Sequence, residues 1–203
     1  DMNPCGGRFT SLTNTNRLIK SNPDVMVVVD EAYIDFGGES AIPLTKKYDN
    51  LIVTGTFSKS RSMAGARLGF AIANKELIED LEKIKYSTNP YNINRLTMLA
   101  GIAAIKDNDY YMNNCRVIEE NREYTTRELR KLGFDVLDSK ANFIFAKSDE
   151  VGGEELYLKL KARGILVRHF TKERIKEYNR ITIGTTEQMT VFIDAVRDIL
   201  EGK

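Results

Sequence analysis

An α/β fold, with a mainly parallel sheet followed by a smaller α+β unit, is predicted by three features of the sequence. Val25-Met26-Val27-Val28-Val29 is apolar throughout and rich in β-branched residues, as expected of a parallel strand covered on both faces. Leu51-Ile52-Val53-Thr54 repeats that pattern and leads into a stretch of hydroxyls and cations. The carboxyl end of a strand in an open α/β sheet is where ligands bind. Beyond Gly133 the order changes to short strands around one helix, closed by a second helix that opens with Thr185-Thr186-Glu187-Gln188, a capping box.

Taken in order, Asn3-Pro4-Cys5-Gly6-Gly7 is turn chemistry, and a chain that opens inside a turn raises the expectation of a fragment. Residues 12–21 read as a short helix stopped by Asn22-Pro23, and 25–29 and 51–54 as strands. A third apolar run covers 68–73, and a helix is predicted over 75–86. Asn94 ends a polar loop and is placed to cap a helix over 95–106. A long helix follows over 109–132, with Tyr111, Cys115, Ile118, Thr125, Leu129 and Leu132 stepping by threes and fours. Arg122 interrupts that stripe, which predicts a helix bridging two bodies. The boundary is set at 107–109, giving domains 1–108 and 109–203. In the second, strands are predicted over 134–137, 142–146, 165–168 and 180–183, and a helix over 154–163 closed by Gly164. The last helix has the apolar face Met189, Phe192, Ile193, Val196, Ile199 and Leu200.

Composition narrows the function classes. Of 203 residues, 42% are hydrophobic, enough for a real core, and the net charge is +1 with no block of like charge. Nothing points to nucleic acid. No apolar run approaches the ~20 residues needed to cross a bilayer. Two cysteines and one histidine, His169, exclude a disulfide framework and any multi-imidazole metal site. A cytoplasmic protein is the expectation.

The chemistry gathers in Thr56-Phe57-Ser58-Lys59 and in Arg67, eight residues after the lysine. A lysine among other cations, partly shielded from water, has its ammonium form disfavoured and becomes an amine nucleophile able to form a Schiff base. Arg67 with the hydroxyls of Thr56 and Ser58 suits a phosphate. Asp30 and Tyr33, in Asp30-Glu31-Ala32-Tyr33, lie at the tip of what reads as a nearby strand. A buried carboxylate there can keep a pyridine nitrogen protonated so that a pyridoxal ring acts as an electron sink. Arg168 and Arg180 can clamp an anionic substrate. Each motif alone also fits ordinary loop polarity; the combination carries the weight.

In order and spacing these residues resemble the fold-type I pyridoxal-phosphate aminotransferases, most closely the histidinol-phosphate branch. Asn3-Pro4-Cys5-Gly6 is similar to the family's cofactor-binding asparagine turn, 27 residues before Asp30. Asp30-Glu31-Ala32-Tyr33 is similar to the motif that meets the pyridine nitrogen and ring oxygen. Ser58-Lys59 with Ala64-Gly65-Ala66-Arg67-Leu68-Gly69-Phe70 is similar to the Schiff-base and phosphate segment. Pro90-Tyr91-Asn92-Ile93-Asn94, Gly164 through Arg168, and Arg180 through Gly184 resemble that branch's loop and its two substrate-anion arginines.

The resemblance implies pyridoxal 5'-phosphate on Lys59, held by Asn3, Asp30, Tyr33, Thr56, Ser58 and Arg67, in a homodimeric transaminase. Its implied substrates are histidinol phosphate and 2-oxoglutarate or glutamate, anions for Arg168 and Arg180. Threonine-phosphate decarboxylase shares the layout and is the alternative, as is a catalytically silent remnant. Three departures stand out: Cys5 in place of a threonine, Ser60-Arg61-Ser62 after the lysine with an extra cation, and a shorter amino end than the family's. That last departure predicts weak activity for the chain alone.

Overall fold

The computed structural model describes residues 11–202, so Asn3 and Cys5 lie outside the described residues. Two compact units divide between Asn114 and Cys115, within a long helix.

In the first unit, α1 (Leu12–Lys20) begins at Ser11, whose Oγ accepts Asn14 N–H at 3.3 Å. Three strands follow, β1 (Val27–Asp30), β2 (Leu51–Thr56) and β3 (Gly69–Ile72), in the order β1-β2-β3. β1 and β2 are parallel, whereas β2 and β3 are antiparallel. The sheet described is therefore mixed rather than mainly parallel. Residues 57–68 return the chain directly to the neighbouring strand, which permits antiparallel pairing; a parallel pair would need a crossover.

A second correction concerns β1. Val28 is 59% exposed and alternate residues face outward, so among the described residues β1 is covered on one face only. The inward face is well packed: Ile19, Leu51 and Val53 are fully buried beside Ala41, Val27 and Val29. Helices α2 (Lys75–Thr88) and α3 (Arg95–Lys106) are capped by Asn74 and Asn94, each accepting an N–H three residues on at 2.9 Å.

Helix α4 (Asn108–Lys131) spans the division. Its buried face includes Cys115, Asn121, Arg122, Thr125 and Leu129. Arg122 thus belongs to the stripe it was expected to interrupt. Its Nη1 donates to Ala141 O at 2.7 Å, and burial holds the guanidinium below its ordinary pKa against the opposing pull of Glu119 and Glu123. Asn121 Nδ2 donates to Gly184 O at 2.9 Å, and its Oδ1 accepts Thr186 Oγ1 at 3.0 Å. Polar groups buried on this helix are satisfied by backbone and side chains of the same unit.

The second unit continues with β4 (Asp135–Leu137), β5 (Phe143–Lys147), α5 (Gly153–Ala162), β6 (Arg168–His169), β7 (Asn179–Thr182) and α6 (Thr186–Leu200). The sheet is antiparallel throughout, ordered β4-β5-β7-β6. Alternation divides its two faces. Val136, Ile144, Ala146 and Ile181 join Leu129, Leu156, Leu160, Phe192, Ile193 and Val196 in one core. Burying each such large aliphatic side chain contributes about 1.5–3 kcal/mol. On the other face Phe145 stacks on Tyr178 with ring centroids 4.7 Å apart. The capping box at Thr185 and Gln188 is formed as the sequence predicts.

β6 begins at Arg168 rather than near Ile165. Gly164 turns the chain at φ +77°, a conformation open to glycine, and the strand is reached only after Leu166, which is exposed. Among the described residues, no helix is long and apolar enough to cross a membrane, and no acidic, cysteine and histidine group could hold a metal ion.

Candidate functional site

The parallel register sets Asp30 opposite Thr54, and Glu31 N–H donates to Thr54 O at 2.8 Å. Parallel pairing directs both carboxyl ends the same way. The turn after β1 and the loop after β2 therefore leave the sheet together.

In the turn, Asp30 Oδ1 accepts Ala32 N–H at 2.9 Å, which stops the strand. Its carboxylate is exposed, where the sequence predicts a buried one, because it lies on the same outward face of β1 as Val28, uncovered among the described residues. Glu31 occupies the buried position instead. It is 8% exposed, with Oε2 accepting Ser40 Oγ at 2.7 Å and Oε1 accepting Ala41 N–H at 2.5 Å. Glu31 is a structural carboxylate that ties the strand end to the loop at Ser40 and Ala41.

The loop after β2 is closed by Phe57 N–H on Leu68 O at 3.0 Å and Met63 N–H on Phe57 O at 2.9 Å. Ser58 N–H donates to Thr56 Oγ1 at 3.1 Å, and the two hydroxyl oxygens stand 2.9 Å apart. Lys59 is exposed, its Nζ 5.3 Å from the ring centroid of half-buried Tyr33. A contact of this kind is worth about 0.5–1 kcal/mol at an exposed position, enough to bias the amine's direction without locking it. Ser62 and Arg67 are left-handed at φ +56° and +54°. Such strain costs roughly 1–3 kcal/mol per residue and clusters at functional sites. Arg67 Nη1 donates to Ala64 O at 3.1 Å, within the same loop.

Arg61, read from the sequence as an extra cation near the site, is engaged by helix residues. Its Nη2 donates to Asn108 Oδ1 at 2.8 Å and its Nη1 to Ala104 O at 3.3 Å, while Cζ lies 5.4 Å from the Tyr111 ring centroid. Ser60, 7% exposed, donates to the Asp35 carboxylate, and so ties the lysine loop to the turn carrying Tyr33. Sequence reasoning missed this pair and Glu31. The partners are 25 residues apart and no periodicity links them.

Asp30, Tyr33, Thr56, Ser58, Lys59 and Arg67 thus belong to one unit, at the ends of β1 and β2. Arg168 and Arg180 belong to the other unit. There they are directly paired across antiparallel strands, so both side chains share a sheet face. Arg168 Cζ lies 5.7 Å from the Phe170 ring centroid and Arg180 Cζ 5.1 Å from that of Phe143. Like charges placed opposite each other destabilise a sheet, and an anion shared between them would remove that repulsion.

The model of the aminotransferase class I and II family matches residues 2–196. A histidinol-phosphate aminotransferase of Brachyspira hyodysenteriae is 53% identical over 196 residues, covering 96% of this chain and 55% of that protein. The chain therefore spans about half the length of the curated relatives it matches. Among solved structures, the histidinol-phosphate aminotransferase from Clostridium acetobutylicum superposes with a TM-score of 0.89 at 27% identity, covering 99% of this chain and 62% of that one. The L-threonine-O-3-phosphate decarboxylase from Porphyromonas gingivalis gives 0.82 at 26% identity, covering 98% and 63%.

Proposed function

The chain belongs to the class I and II aminotransferase family, and from that premise we propose that its first unit carries a pyridoxal 5'-phosphate site centred on Lys59. The observation that carries this reading is the Lys59 amine over the Tyr33 ring, beside a hydroxyl pair and a guanidinium in one strained loop. The donor set fits the cofactor. Thr56, Ser58 and Arg67 offer two hydroxyls and a planar fork to a phosphate dianion. Asp30 has Oδ1 occupied by Ala32 N–H, which leaves Oδ2 to hold the proton of a ring nitrogen. Asn3 completes the proposed set from outside the described residues.

When bound, pyridoxal phosphate supplies an aldehyde that condenses with amines and a ring that withdraws electron density from the substrate carbon. Lys59 Nζ is the group that takes the proton from that carbon and returns it. Its exposed position and flexible stem give it the reach for that transfer. Tyr33 limits the directions open to that amine and offers its hydroxyl to the ring oxygen.

We propose L-histidinol phosphate and 2-oxoglutarate or glutamate as substrates, with Arg168 and Arg180 binding their anionic groups. Support comes from the 53% identical relative, a histidinol-phosphate aminotransferase, and from the cross-strand pairing of the two arginines. A cytoplasmic homodimer completes the proposal. Pyridoxal phosphate followed by borohydride should leave one stable adduct on the Lys59 peptide and none in Lys59→Arg. Modification spread over other lysines instead would overturn the site. A version extended to the relatives' length, given each phosphorylated amine, tests the reaction. Consumption that depends on 2-oxoglutarate supports transamination, whereas carbon dioxide release from threonine phosphate favours the decarboxylase reading.

A further inference from the structure

We infer that Asp35 and Ser60 are positioning residues that hold the Lys59 amine at the Tyr33 ring. This deepens the Lys59 reading above and rests on it. Lys59 lies between two restraints on its own backbone. Before it, Ser58 N–H donates to Thr56 Oγ1 at 3.1 Å. After it, Ser60 is buried and its hydroxyl donates to Asp35, while Arg61 is held by Ala104 O and Asn108. Lys59 O also accepts Ser62 N–H at 3.1 Å, which closes the turn at a residue of positive φ.

Asp35 is presented from a packed base. The next residue, Phe36, is 1% exposed, and its N–H donates to Tyr33 O at 3.2 Å. The Ser60–Asp35 hydrogen bond therefore joins the residue after the amine to the turn that carries Tyr33. The bond links two segments 25 residues apart at the position next to the amine. The backbone is fixed and the amine is biased toward the ring without being locked there, an arrangement suited to an amine that must travel between two atoms.

Lys59 labelling in the 203-residue chain, without cofactor, tests the inference. Trinitrobenzenesulfonate is the probe, with peptide mass spectrometry as readout and Lys75, whose side chain is 88% exposed, as internal reference. In Ser60→Ala and Asp35→Ala the Lys59-to-Lys75 rate ratio should rise about tenfold, the population change on losing one hydrogen bond to a charged carboxylate at the low end of its range. Asp35→Asn keeps a neutral acceptor oxygen and should fall between the parent and the alanine variants. An unchanged ratio in both alanine variants overturns the inference, as does an asparagine variant that matches alanine. Ser60→Ala removes a single oxygen and decides the question if Asp35→Ala fails to fold. Because no cofactor is present, the positioning claim and the cofactor site can each fail alone.

Discussion

Replacing Glu31 with alanine should loosen the first unit far more than an ordinary substitution beside a strand end. Its carboxylate accepts Ser40 Oγ at 2.7 Å and Ala41 N–H at 2.5 Å, and Ala41 is 2% exposed. Hydrogen bonds to a charged group contribute about 1.5–3 kcal/mol each, and a buried donor left without an acceptor forfeits its full desolvation cost. The Ser40 hydroxyl can turn toward water and recover part of its share. The net loss for Glu31→Ala is therefore about 3–4 kcal/mol. Glu31→Gln keeps one acceptor for Ala41 N–H and can donate its amide to Ser40 Oγ, so about 1 kcal/mol is expected. Peptide-resolved hydrogen exchange over residues 38–46, followed through a urea series, reads the opening free energy locally. That choice avoids treating two units as one transition. Both variants falling within about 0.5 kcal/mol of the parent, the range of neutral surface changes, would refute the reasoning.

Two further predictions concern the second unit. Gly153→Ala should lower the melting temperature even though alanine favours helix by up to about 1 kcal/mol: a Cβ there would stand 2.7 Å from the Glu177 carbonyl carbon and closer still to Lys176 O, and this contact is with backbone that cannot swing aside. A higher melting temperature would show that the loop yields. Glu187 has its carboxyl held below the ordinary carboxylate range by its own backbone N–H and then by the Thr185 hydroxyl. A depressed folded-state value means a stabilising contribution that is complete above the unfolded pKa and is lost as the pH falls through the folded one. Melting curves taken down the acid range should therefore drop less steeply for Glu187→Gln than for the parent, and parallel curves would count against the assignment.

Much of the architecture was legible because local rules governed it. Asn94 caps α3, Thr185 and Gln188 form a capping box, and Gly164 turns the chain after α5, all through interactions confined to a few residues. Elements whose fate depended on distant partners were misread. Arg122 looks like a break in an apolar stripe until Ala141 O, 19 residues away, is seen to receive its guanidinium. The valine run reads as a covered strand, yet its exposure depends on what packs over its face, and among the described residues nothing covers Val28.

The sequence by itself determined the chemistry available: one amine, two hydroxyls, a guanidinium and a carboxylate at or just beyond the ends of two strands. Covalent order fixes residue type and spacing, and parallel pairing turns spacing into proximity. Only the tertiary structure decided that Glu31 rather than Asp30 is buried and that Arg61 is engaged by helix residues. It also decided that Ser60 reaches Asp35 beside the lysine. Those outcomes depend on contacts between segments far apart in sequence, whose geometry exists only once the chain has folded.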